Sequence, residues 1–297
     1  MKLQNFRRVY RTVDNARPLG QTAKAALAGT AVLCAAGALP ILLLRPAVPS
    51  QRKSAPFRWR NFAHRGLHDR SGLVPENSLA AFRAAAEAGY GIELDVQLSR
   101  DGQVVVFHDA DLRRLCGVDQ RVDALNWTEL RGMRLQGSDA HIPLFSEALQ
   151  AVDGRVPLIV ELKPGSRDRE LCEKTRALLD RYNGDVCVES FSPKIVSWFR
   201  FHAPELLRGQ LSMPRWRFRQ EGFSPVQSIV LSGTFLNFLA KPEFIAYSLG
   251  PRPLPVRIAQ RFGALRFGWT AHSPAAERGH DAVIFEYYRP RTRYIPR

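Results

Sequence analysis

Gly91-Ile92-Glu93-Leu94-Asp95-Val96-Gln97-Leu98-Ser99-Arg100-Asp101-Gly102-Gln103-Val104-Val105-Val106-Phe107-His108 reads as a strand, a turn and a second extended run. Successive side chains of a strand point to opposite faces, so Glu93 and Asp95 face the same way. Two carboxylates side by side repel each other unless a cation lies between them. A hard divalent metal, Mg²⁺ or Ca²⁺, is the simplest resident, because both take oxygen ligands. His64 and His108 end the runs on either side and supply the acid and base that a hydrolysis needs.

Working outward, short apolar runs alternate with helical patterns, which favours an α/β fold with a parallel sheet. Strands are expected at 61–64, Gly91–Leu98 (extended by 104–108 after the Asp101-Gly102 turn), Leu158–Leu162, Val186–Ser190, 206–210, Phe244–Ser248, 264–269 and Ala282–Phe285. A helix over 78–88 enters through Pro75-Glu76-Asn77 and stops at Gly89, and another lies near 169–182. Eight β units over some 230 residues predict a (β/α)₈ barrel, a fold of about 250 residues with its active site at the C-terminal strand ends. The other α/β solution, a doubly wound sheet, lacks a Gly-rich phosphate loop here. Residues 110–145 are polar and irregular, long enough for an insertion that covers something.

Glu161-Leu162-Lys163 repeats the i, i+2 spacing at the end of another strand. Around a closed barrel Glu93, Asp95 and Glu161 can converge as metal ligands, with Lys163 and the planar Arg65 as contacts for phosphate oxygens. Trp269 ends a further strand and is a candidate pocket residue. No His-x₃-His or Cys-x₂-Cys spacing points to zinc. Each pair alone also fits a solvated edge, a turn or a salt bridge. Together they put charge at the ends of apolar strands, where burial is costly without a ligand. His68, His141, His202, His272 and His280 read as surface or structural.

The net charge of +15 is uneven: residues 1–60 hold 11 Lys and Arg against one acid, Asp14. Arg289, Arg291, Arg293 and Arg297 make the end, 289–297, a basic tail. Nucleic-acid binding would want a basic stripe on the folded domain, and none is evident. Residues 25–44 carry no charge, long enough to span a bilayer, and exceed the apolar stretch of a cleaved signal peptide. They are expected to be a single-pass anchor in the cell membrane, with 1–24 as a basic segment on one side and 45–60 as a linker on the other. Six basic residues before the span and five after leave its orientation open. With Cys34 inside the expected span, Cys116, Cys172 and Cys187 remain, an odd count that suggests free thiols. Oligomeric state has no signature in the sequence.

Phe62-Ala63-His64-Arg65-Gly66, Pro75-Glu76-Asn77-Ser78, Gly91 to Val96, Asp101-Gly102, Val106-Phe107-His108-Asp109 and Glu161-Leu162-Lys163, with Trp269-Thr270 and Asp281 to Ile284, resemble the bacterial-type glycerophosphodiester phosphodiesterase family over about 61–288. The resemblance implies a (β/α)₈ barrel with 110–145 as a small inserted subdomain. It also implies one divalent cation on Glu93, Asp95 and Glu161, His64 and His108 as the acid/base pair, and Arg65 and Lys163 on the phosphate. The expected reaction is hydrolysis of glycerophosphodiesters to glycerol 3-phosphate and an alcohol. A lysophospholipid or other lipid-derived phosphodiester is the second substrate class; a catalytically silent lipid-binding barrel would need a broken constellation. Ser78 replaces the family's more frequent Thr and keeps a hydroxyl cap. The aromatic, basic stretch at 211–243 matches no motif: a membrane-facing loop, a substrate lid or an amphipathic helix over the barrel all fit it.

Overall fold

Each run expected to be a strand lies in or overlaps one. The computed structural model describes residues 42–295. Its strands are β1 (Arg60–Ala63), β2 (Gly91–Leu98), β3 (Val104–Val106), β4 (Leu158–Leu162), β5 (Val186–Ser190), β6 (Leu207–Ser212), β7 (Phe244–Ser248), β8 (Leu265–Ala271) and β9 (Ala282–Phe285). All but β3 are parallel, and the ring closes because β1 pairs with both β2 and β9. This is the expected eight-stranded barrel. β3 folds back antiparallel on β2, with Val96 opposite Val106. The helix Leu79–Glu87 starts as expected, with Ser78 Oγ accepting the Ala81 N–H at 3.1 Å.

Pleat and register sort the barrel interior into layers. Phe62, Ile159, Cys187, Leu207, Phe244, Phe267 and Ala282 form one buried apolar cluster with Phe57. Two residues further along β4 and β5 the same face carries Glu161 and Glu189. The alternation that fills the lower barrel with aromatics therefore delivers carboxylates at its C-terminal end. Gly91 lies opposite Phe62 and Gly209 opposite Phe244. A Cβ at either glycine would collide with the neighbouring ring, so the two wide side chains fit only because their partners have none. The rings of Phe244 and Phe267 stack at 4.1 Å, each buried ring being worth about 1.5–3 kcal/mol.

Four sequence expectations meet a different outcome. Strand β6 runs two residues beyond 210 and β8 two beyond 269; in β6 the polar side chains there are satisfied internally, with Gln210 Nε2 donating to Ser190 O and Phe191 O, and Ser212 Oγ to Leu231 O. Residues 45–60, expected as a linker, pack onto the barrel. Ser50 caps the turn Gln51–Ser54, Phe57 is buried against Phe62, and Lys53 Nζ donates to Glu243 at 2.6 Å and to Pro204 O at 2.7 Å. The basic end packs too, with Asn61 and Tyr294 N–H donating to Thr292 O and Trp59 O. The expected span over 25–44 lies, apart from 42–44, outside the described residues, as does the basic segment 1–24. Among the described residues no helix is long and apolar enough to cross a membrane.

Between β3 and β4 the chain builds a second core from Phe107, Leu112, Leu115, Leu130, Leu135 and Ile142, with short helices Arg113–Cys116 and Trp127–Leu130. Cys116, Cys172 and Cys187 are free thiols.

Candidate active site

Several functional side chains sit one residue past the end of a strand, where one more ladder bond still fixes the backbone. The His64 N–H donates to Phe285 O, the Lys163 N–H to Val96 O and the Glu286 N–H to Ala271 O, at 2.9–3.0 Å. Gln97 Nε2 donates to the carbonyls of Phe107 and Asp109, both at 2.8 Å, and so clamps the backbone on either side of His108.

Glu93 and Asp95 on β2 meet Glu161 on β4, one oxygen of each lying within 4.8 Å of the others. All three are buried. The left-handed backbone of Arg65 (φ 54°) aims its N–H at Glu93 Oε2, 2.9 Å away. Asn77, also left-handed, donates from Nδ2 to Asp95 Oδ2 at 2.8 Å. Lys163 Nζ lies 2.7 Å from Glu161 and 3.0 Å from Asp95. Burial, then the charges of Asp95 and Glu161, raises the Glu93 carboxyl well above its ordinary range. Burial also opposes charge on Asp95, but Lys163, His108 and Arg65 outweigh it and hold that carboxyl well below. Hard carboxylate oxygens gathered this closely are the donor type that Mg²⁺ or Ca²⁺ takes. A cation there would relieve the repulsion on Glu93, so the donor set fits the expected ion.

Both expected histidines line one cavity of about 340 Å³ with Arg65, Glu93, Glu161 and Lys163. Each is anchored through Nδ1. His64 Nδ1 lies 2.9 Å from Glu286 Oε2, and its Nε2 lies 3.9 Å from Glu93. His108 Nδ1 lies 2.6 Å from Asp109 Oδ1, while Asp109 Oδ2 accepts from Arg114 Nε at 2.7 Å. Burial, then the Arg65 charge, lowers the His64 pKa, with Glu286 opposing both. Arg65 donates to Glu76 at 2.6 Å, and Arg114 grips the same carboxylate with two nitrogens.

Trp269 lines the cavity as expected, its Nε1 donating to Ser212 O at 3.2 Å. With Phe191, Leu211, Met213, Phe218 and Phe223 it makes up an apolar wall of the cavity.

Sequence reading missed four members of the site. Glu286 and Glu189 each close an apolar strand, the same signal that marks Glu161, while Glu76 and Asn77 read only as a helix entry. Glu189 is a fourth buried carboxylate on the cavity, its Oε2 without a hydrogen-bond partner. Two of the histidines read as surface or structural belong to the surroundings of Glu286. His272 Nε2 lies 3.5 Å from Glu286, and the rings of His272 and His68 pack on Tyr287. His202 stacks on Trp198 and His280 binds Ala276 O, away from the cavity.

The family described as Glycerophosphoryl diester phosphodiesterase matches residues 64–287. Lysophospholipase D GDPD1 of Rattus norvegicus is 34% identical over 155 residues, 48% of this chain and 48% of that protein. A glycerophosphodiester phosphodiesterase of Bacillus altitudinis is 35% identical over 168 residues, 51% of this chain and 66% of that one. The chain thus spans about half the length of the first of these relatives. A phosphodiesterase of Oleispira antarctica, solved in complex with the product sn-glycerol-3-phosphate, has TM-score 0.60 at 22% identity and covers 77% of this chain and 93% of its own. That likeness is one of fold. With the family match running over well more than half its length, the chain belongs to the glycerophosphoryl diester phosphodiesterase family.

Proposed function

We propose that the protein hydrolyses glycerophosphodiesters to glycerol 3-phosphate and an alcohol. The observation that carries this reading is the convergence of Glu93, Asp95 and Glu161 at a cavity lined by Glu93, Glu161 and two histidines, each histidine held through Nδ1 by its own carboxylate. Glu93, Asp95 and Glu161 would hold one divalent cation, which when bound supplies charge stabilisation at the phosphoryl oxygens. Lys163 and Arg65 add positive charge for those oxygens. With Nδ1 occupied, His64 and His108 exchange protons through Nε2. One takes the proton of the attacking hydroxyl, of water or of the neighbouring glycerol, and the other gives a proton to the leaving alcohol.

A second substrate class is favoured by the apolar wall of Phe191, Leu211, Met213, Phe218, Phe223 and Trp269: a lysophospholipid, whose acyl chain those side chains would take out of water. The relative from Rattus norvegicus is named for that activity.

The deciding experiment follows glycerol 3-phosphate release from glycerophosphocholine with EDTA, Mg²⁺ or Ca²⁺, and then choline release from lysophosphatidylcholine. Release from the first substrate that stops in EDTA supports the main reading. Turnover of the lysolipid alone selects the second, and no turnover of either removes both.

A further inference from the structure

The segment between β6 and β7 contains a helix that buries two serines and turns two apolar side chains outward. In Pro225–Ser232 the buried positions are Ser228 and Ser232, while Val226 is 70% and Ile229 45% exposed. The serines are satisfied inside: Ser228 Oγ donates to Ser224 O, and Ser232 lies beside the hydroxyl of buried Tyr247. Val230 and Leu231 are half-buried, so the helix is divided, with Val226 and Ile229 turned outward, where a water-facing helix would carry polar side chains. It packs against the helix Arg215–Gln220, where Phe218 is buried but Trp216 is 57% exposed. Arg215, Arg217 and Arg219 accompany them, against a single acid over 215–232, Glu221. Arg217 lies over the Trp216 ring at 5.3 Å and over the Trp269 ring at 5.9 Å.

The same helix also reaches the cavity: Phe218 and, just after it, Phe223 form part of its apolar wall. One short element thus carries apolar groups outward at Trp216 and inward at Phe218.

We infer that Trp216, Val226 and Ile229, set among Arg215, Arg217 and Arg219, form a docking face for an anionic phospholipid bilayer at the cavity mouth. Three features favour lipid over a protein partner. Three arginines stand against the single acid Glu221, a positive excess that suits an anionic surface. The apolar groups include Trp, which is suited to the membrane–water boundary. The face continues directly into the apolar wall, so a single-chain lipid would pass from bilayer to cavity without crossing water. The face is a property of the surface and stands apart from the reaction proposed above.

The test uses the full chain and hydrogen–deuterium exchange with vesicles of phosphatidylcholine, with and without phosphatidylglycerol. Amides over 215–232 should gain protection on the mixed vesicles, and high salt should remove it. The triple variant Trp216→Ser, Val226→Ser, Ile229→Ser should lose that protection. It should keep the parent rate on glycerophosphocholine and lose about tenfold or more on lysophosphatidylcholine held in the mixed vesicles. The exchange readout needs no turnover, so it stands even if the substrate assignment falls. Vesicle-bound protein with 215–232 unprotected overturns the inference. So does protection that grows with protein concentration in the absence of lipid, which would give the face to a second copy of the chain.

Discussion

Glu76 is the hinge of the charge network around the site, and removing its charge tests that network quantitatively. Its carboxylate is 6% exposed and accepts from Arg65 at 2.6 Å and from Arg114 at 2.7 and 2.8 Å. Burial pushes its carboxyl up, but Arg114 and Arg65 outweigh burial and lower it from 4.5 to about 2. At roughly 1.4 kcal/mol per tenfold change in proton affinity, that drop is worth about 3 kcal/mol. Arg114 is half exposed, so solvent trims this to about 2–3 kcal/mol. The folded carboxyl binds its proton less readily than the unfolded chain does. Its contribution is therefore complete above pH 4.5 and disappears as pH falls towards about 2. Denaturant unfolding of the parent and of Glu76→Gln across this range isolates the group, since all other carboxylates are common to both. The two should differ by about 2–3 kcal/mol at neutral pH and converge in acid. A difference that stays constant down to the acid limit would falsify the charge-pairing account of Glu76.

Replacing His64 or His108 with Ala should cut turnover about 10²–10⁴-fold at an unchanged Tm; near-parent rates in both variants would remove the acid/base assignment. Glu286→Gln should lower turnover about 10–100-fold, in the range of lost support behind a functional histidine. Because Glu286 opposes the downward push on His64, the limb of the kcat/KM profile that His64 sets should also move to lower pH, the acid limb if His64 is the base and the alkaline limb if it is the acid, and two unmoved limbs would leave Glu286 a purely structural part. In calorimetric titration with Mg²⁺ or Ca²⁺, Glu93→Gln, Asp95→Asn and Glu161→Gln should each weaken binding at least tenfold; a variant that binds like the parent takes that residue out of the site.

The barrel was legible because its strands are buried on both faces and read as continuous apolar runs, each closed by a charged or polar group. That rule also marks Glu189 and Glu286, and both lay within reach of a sequence reading that applied it to every strand. Other features depend on partners far along the chain. Lys53 meets Glu243 across 190 positions, so a basic, Pro-containing stretch with no periodicity looked like a linker. Glu76 joins Arg65 to Arg114 in the insertion, and no local pattern announces that junction. The orientation of Pro225–Ser232 was equally hidden, since composition alone does not say which side of a helix meets the barrel.

Phe57, Phe62, Phe244 and Phe267 fill the barrel beneath the carboxylates. The chamber is therefore closed from below, and substrate and products alike must pass through the C-terminal end of the barrel. Under the proposed reaction, Lys163 and Arg65 would hold the phosphate-bearing fragment and not the alcohol, so the alcohol would depart first. Accumulated glycerol 3-phosphate would then occupy the seat the next substrate needs, and those two side chains would set the order in which the products are let go.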